Sequence, residues 1–122
     1  MNQKNRRQEE RACLPEFFQR HIEIAKNRYC EECGSKLRGH VSEIAHCLPK
    51  QLFKSIMCND LNVLYLCGMY SNNQCHNNFD NFPQQKVRSM NIYPKVHTIF
   101  KALESDITEK MNYKTYDKYT NG

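Results

Sequence analysis

The chain has 122 residues, 39% of them hydrophobic, and a mean hydropathy of -0.83. So short and polar a chain excludes two independent cores and predicts one domain that needs a cross-link to hold its small interior. A formal charge of +5 favours polyanionic partners. The opening MNQKNRRQEERA has no apolar signal core, and no run is long enough to span a membrane, which predicts a cytoplasmic protein without a membrane partner.

Residues 1–12 read as a polar, frayed tail, with Arg6, Arg7 and Arg11 beside Glu9 and Glu10. From Leu14 to Tyr29, apolar residues recur at Leu14, Phe17, Phe18, Ile22 and Ala25, the spacing of an amphipathic helix with Pro15 in its first turn. CEECGSKLRGH carries Gly34 and Gly39 at turn-like positions, and the alternation in HVSEIAHCL predicts a short strand ended by Pro49. KQLFKSIMC predicts a short helix with Leu52, Phe53 and Ile56 inward, and LNVLYLC a second extended run reaching Cys67. SNNQCHNNFDN lies between loop and first helical turn, ahead of Pro83. A C-terminal helix over about 94–111 follows, opened by Pro94, with Val96, Ile99, Phe100, Leu103, Ile107 and Met111 as a stripe that packs on the core. Residues 113–122 read as a flexible tail, so the predicted domain covers 13–112.

Seven cysteines could form disulfides or bind metal, and a reducing compartment favours metal. Cys30 and Cys33 have the two-residue spacing that lets both sulfurs meet one ion, and Cys67 with Cys75 supplies a second pair across a wider gap. The expectation is a structural zinc site made by Cys30, Cys33, Cys67 and Cys75. Cys47 or Cys58 could replace a ligand, His76 could replace Cys75, and CEEC could be a redox pair, although the βαβ context of such pairs is missing. Cys13, Cys47 and Cys58 read as small packing residues. Single histidines seldom mark sites, so His21 and His97 read as surface or boundary residues and His40 as structural.

Between the cysteine pairs stand EIAHCLPK and NDLNVLYLC, and CHNNFD follows; with these, residues 30–82 resemble the HNH endonuclease family. The resemblance implies an α+β fold, a zinc-stabilised ββα-metal, treble-clef-like core flanked by N- and C-terminal helices. It also implies hydrolysis of DNA phosphodiester bonds. His46 matches the family's first His, Asn62 its Asn, and His76 its final His. The paired cysteines match members that carry an added zinc knuckle.

The residue types suit that chemistry independently. A neutral imidazole is a suitable base for water at cellular pH, so His46 would be the general base, oriented through a hydrogen bond to Asn62. His76 and Asp80, four residues apart, fall on one helix face as half of a site for a catalytic divalent ion such as Mg²⁺ or Mn²⁺. Ala45 stands where most family members carry a further ligand, leaving Glu43, His40, Asp80 or water to complete the coordination. Lys36, Arg38, Lys50 and Lys54 are candidate phosphate contacts. The expected partner is DNA, joined by a second copy in a homodimer or by a phage protein, since the resemblance implies a phage or mobile-element origin. The other reading is a zinc-stabilised nucleic-acid-binding, recombination or packaging module without turnover.

Overall fold

The computed structural model describes residues 8–110. It is a mixed structure of helices around a two-stranded sheet. Helix α1, Leu14–Ala25, carries proline in its first turn, where no amide partner is lost, and Glu16 beside its positive end. It buries Leu14, Phe17, His21 and Ala25 along one stripe. The expectation of a surface His21 is corrected here. His21 continues the apolar stripe and is only 3% exposed, because Nδ1 meets the Tyr65 hydroxyl at 2.7 Å and Nε2 meets Asp60 at 2.9 Å. Both ring nitrogens being satisfied is what makes burial affordable.

After α1, Tyr29 bridges Lys36 and closes a knuckle around the first cysteine pair, with Gly34 at φ +81° in its turn. Strand β1, Ile44–Ala45, pairs antiparallel with β2, Leu64–Tyr65, in the register Ile44 to Tyr65 and Ala45 to Leu64. Helices α2 (Cys75–Asn81), α3 (Gln84–Arg88) and α4 (Tyr93–Leu103) complete the chain order. One buried cluster joins Phe17 of α1, Leu64 of β2, Phe79 of α2, Val87 of α3 and Phe100 of α4.

Two boundaries differ from the sequence reading. The predicted helix in KQLFKSIMC is only a 3₁₀ turn, Lys54–Ile56, in which Phe53 and Ile56 are buried but Leu52 is 50% exposed. The C-terminal helix stops at Leu103 rather than continuing to 111; a 3₁₀ turn, Glu104–Asp106, follows, and Ile107 packs on the core from beyond it. Val96, Ile99, Phe100 and Leu103 are buried as expected, whereas Met111, residues 1–7 of the predicted tail at 1–12, and the predicted tail at 113–122 lie outside the described residues. Cys13 and Cys58 are not packing residues but a disulfide, formed because the start of α1 is brought beside the 3₁₀ turn. Cys47 is buried, its thiol donating to the Val96 carbonyl at 3.9 Å.

The segment between the strands is held from inside by Asn62, which is fully buried. Its Oδ1 accepts from the Leu48 amide at 2.7 Å, and its Nδ2 donates to the carbonyls of Leu48 at 3.0 Å and Ile56 at 3.4 Å. Replacing Asn62 by Ala strands these backbone groups without solvent. We expect a loss of about 3 kcal/mol in urea unfolding, from a few unmet buried hydrogen bonds at about 1 kcal/mol or more each; a loss under about 0.5 kcal/mol would contradict this role.

Candidate metal centre and histidine cleft

Cys30 and Cys33 flank the knuckle turn, Cys67 follows β2, and Cys75 is the first residue of α2. Their sulfur atoms all lie within 4.8 Å of one another, close enough to hold a metal ion. Local backbone produces this convergence. The Gly34 amide donates to the Cys30 carbonyl at 2.9 Å, the Cys30 amide to the Ser35 carbonyl at 2.7 Å, and the His76 amide to the Cys67 carbonyl at 3.1 Å. Gln74, with φ 43°, turns the chain sharply into α2, which compensates for the wide gap between Cys67 and Cys75.

The thiols differ in acidity. Burial pushes Cys33 up, but hydrogen bonds from Ser35 and neighbouring groups outweigh it and bring the thiol down to about 6. Burial, aided by the neighbouring sulfurs, drives Cys75 far up, and burial also raises Cys30. Four packed sulfurs cannot share negative charge without a cation between them, and a bound metal reverses that balance by deprotonating its ligands.

The two glutamates of CEEC turn away from the sulfurs and anchor the knuckle. Glu31 accepts from the Tyr65 amide at 2.8 Å and pairs with Lys95, while Glu32 accepts from the amides of Asn91 and Ile92 at 3.0 and 2.9 Å. The thiol cluster is thereby tied to β2 and to the start of α4.

Beside β1, whose Ile44 lines it, a cleft of about 560 Å³ is formed by His46, Lys50, His76 and Asp80, with Phe18 and Val41 at its walls. His46 donates from Nε2 to the Met57 carbonyl at 2.8 Å, which leaves Nδ1 as the lone-pair nitrogen. Phe17 stacks on the imidazole at 4.9 Å and Phe18 meets it edge-on at 5.6 Å. Burial lowers the basicity of His46, only partly offset by the Met57 carbonyl, so its pKa falls to about 4.

His76 is fixed differently. Its Nδ1 donates to the Ser42 carbonyl at 2.6 Å, and Nε2 faces the Asp80 carboxylate at 3.1 Å. Burial opposes protonation of this ring, but the hydrogen bonds to Asp80 and Ser42 outweigh it and raise the pKa. Gly68 lies against Ser42 so closely that a Cβ there would collide with Ser42 backbone and side chain. The approach of the β2–α2 segment to the His76 anchor therefore depends on glycine.

Several expected roles change. Asn62 does not orient the His46 ring; the Met57 carbonyl does, and Asn62 supports that peptide through the adjoining Ile56 carbonyl. Glu43 does not complete the cleft, because its buried carboxylate accepts the amides of Arg38, Gly39 and His40 at 2.8–3.1 Å. His40 caps the same turn by accepting from the Ser42 amide at 3.0 Å. Among the described residues, the four cysteines are the only group of three or more potential ligands gathered closely enough to hold a metal; His46, His76 and Asp80 share the cleft without forming such a group.

The cationic candidates also divide. Lys50 lines the cleft, where burial and then the charge of Arg11 lower its pKa. Lys54 pairs with Glu10 at 3.1 Å and joins Arg11 and Lys50 around an adjoining hollow. Lys36 is occupied inside the knuckle, donating to the carbonyls of Lys26, Arg28 and Leu37, and Arg38 lies over the exposed Tyr70 ring at 5.1 Å. Sequence reasoning placed Arg11 in a solvated polar tail, with a DNA-contacting arm as the other reading, and missed the Cys13–Cys58 pair, which has no spacing signature.

The thiol cluster gives a direct test. Loading the protein with Co²⁺ should produce intense sulfur-to-cobalt charge-transfer absorption that disappears in Cys67→Ser, and a chelator should lower Tm by more than about 10 °C, because metal binding is coupled to folding. A chain that neither binds cobalt through sulfur nor responds to chelation would contradict it.

No family model matches the chain, and searches of curated proteins and of solved structures find no match either.

Proposed function

We propose that this protein is a metal-dependent endonuclease of HNH type, in which the thiol cluster holds a structural zinc and the His46 cleft cleaves DNA phosphodiester bonds. Four cysteine sulfurs are the donor set of closed zinc sites, and no fourth position is left open to a substrate. Under this reading β1, β2 and α2, which follow one another in that order, form the ββα-metal unit.

The observation that carries the proposal is the pairing, across one cleft, of a tautomerically fixed His46 with a His76–Asp80 couple. Donation from Nε2 to Met57 leaves Nδ1 of His46 to take a proton from water as it attacks phosphorus. Donation from His76 Nδ1 to a backbone carbonyl is the support that metal-bound imidazoles commonly have, and it leaves Nε2 beside Asp80. Those two side chains fit a divalent ion such as Mg²⁺ or Mn²⁺, which would neutralise charge on the phosphate and the departing oxygen. Lys50 contributes positive charge at the same wall, and Arg11 and Lys54 continue it outward along a path for the nucleic-acid backbone.

A second reading, a zinc-stabilised DNA-binding module without turnover, is favoured by Ala45. That residue is completely buried in β1 and offers no ligand, and His76 already has a partner in Asp80. Plasmid nicking in Mg²⁺, Mn²⁺ or Ni²⁺ separates the two. We expect nicking by the wild type and a loss of about 10²–10⁴-fold in His46→Ala, the range of a general base. Gel retardation with no nicking in any metal would leave the binding module.

The depressed pKa of His46 sets a pH dependence. The ring remains a base down to roughly pH 5, so nicking at pH 6 should stay close to that at pH 7.5; a loss centred near the ordinary value of about 6.5 would contradict the assignment. Stability follows the same sign. Below about 6.5 the unfolded chain takes up a proton that the folded ring refuses until about 4, so this increment of stability is present above that window and is lost as pH falls through it. His46→Gln should remove that increment from a pH series of urea unfolding.

A further inference from the structure

We propose that Cys13 and Cys58 form a positioning pair whose disulfide holds His46 in its working orientation, so that reduction of the bond slackens the base; this rests on the nuclease reading only for its effect on cleavage. The disulfide closes a circuit around the imidazole. Cys58 directly follows Met57, whose carbonyl accepts from His46 Nε2 at 2.8 Å. Cys13 precedes α1, and its carbonyl accepts from the Phe17 amide at 3.1 Å. Phe17 in turn stacks on the His46 ring at 4.9 Å with an interplanar angle of 22°, and Phe18 closes its edge at 5.6 Å. One bond therefore fixes the hydrogen-bond acceptor of the ring relative to the aromatic wall against which the ring lies.

Other interactions across this seam are noncovalent: Arg20 and His21 of α1 both meet Asp60 at 2.9 Å, two residues beyond Cys58. Lys54 and Glu10 form an ion pair with the lysine side chain 52% exposed, and such pairs hold little against solvent. The 3₁₀ turn Lys54–Ile56 is short, and its neighbour Leu52 is half exposed. With the sulfurs separated, the Met57–Cys58 segment keeps the Asn62 contact to Ile56 but loses its covalent tie to α1. Two arrangements of the Met57 peptide then become accessible, and the ring can exchange an Nε2–H for an Nδ1–H tautomer, which removes the lone pair from the nitrogen the base uses.

The pair is reachable by reagents, because Cys13 is exposed and Cys58 half-buried; in the thiol cluster Cys30, Cys67 and Cys75 are buried and Cys33 is exposed, so the cluster is kept zinc-loaded while the pair is oxidised or reduced. Oxidation proceeds by thiolate exchange with a small-molecule disulfide such as glutathione disulfide. One protein thiolate displaces a glutathione thiolate to form a mixed disulfide, and the second protein thiolate displaces the other, so two protein thiols are oxidised and one glutathione disulfide is reduced to two thiols.

The test follows the His46 ring directly by ¹⁵N NMR of the zinc-loaded full chain at pH 7.5, without added catalytic metal. The chain is oxidised with glutathione disulfide or reduced with a phosphine, which takes the oxygen of one water as the disulfide becomes two thiols. In the oxidised chain we expect a single Nε2–H tautomer. In the reduced chain, and in the Cys13→Ser, Cys58→Ser double variant, we expect a mixture of tautomers and nicking slowed about tenfold, the scale of a modest loss of orientation. Zinc content and far-UV circular dichroism should be unchanged. An unaltered tautomer in the reduced chain and in the double variant overturns the proposal even if Tm falls, since a merely stabilising bond would lower Tm alone. Free thiols at Cys13 and Cys58 after oxidation, or collapse of the fold on reduction, overturn it as well. A tautomer shift with no nicking in either state upholds the positioning role and removes the nuclease reading.

Discussion

Four sulfurs drawn from distant parts of the chain occupy one point, and most of the architecture is arranged around bringing them there. A chain this polar has little apolar surface to bury, so the junction of the knuckle, the end of β2 and the start of α2 needs a link stronger than side-chain packing. Without a cation, crowding and burial force protons onto Cys30 and Cys75, and the same four atoms become mutually compatible once positive charge lies among them. Glu31 and Glu32 extend the junction to Tyr65 of β2 and to the amides at the start of α4. A motif that looks like a metal knuckle therefore also organises a helix far along the chain.

The histidine cleft beside β1 depends on this junction at one remove. Cys75 opens α2, and α2 carries His76 and Asp80 into the cleft, while β1 carries Ala45 directly before His46. The two histidines are then given opposite characters by their surroundings. His46 lies among Phe17, Phe18 and a carbonyl, an environment that keeps it uncharged, whereas His76 lies against a carboxylate that favours its proton in the absence of a metal. Groups of one chemical type with divergent acidity in one cleft are a recurrent sign of acid–base or metal chemistry.

The positive charge is distributed with the same economy. Lys36 and Arg38 are near the knuckle in sequence, yet Lys36 is consumed by backbone carbonyls and Arg38 lies over Tyr70. Arg11, from near the start of the chain, meets Lys50 and Lys54, four residues apart, at one hollow beside the histidine cleft. A basic composition predicts attraction to polyanions, but only the folded arrangement selects the face on which that attraction acts.

The sequence by itself determined the four-cysteine set, α1 with its proline start, two short extended runs meeting Cys67, and the apolar stripe of α4, because each is written in local spacing or periodicity. It also identified His46, His76 and Asp80 as neighbours, since helix spacing and position beside the cysteines constrain them. Tertiary structure alone decided which groups satisfy them. The Met57 carbonyl rather than Asn62 holds His46, Glu43 serves a turn, His21 is buried by Tyr65 and Asp60, and Cys13 finds Cys58 across 45 positions. These pairings join backbone groups or residues with no characteristic separation, so no pattern in the linear chain encodes them; they exist only once burial makes every unsatisfied polar group costly and leaves one neighbour within reach.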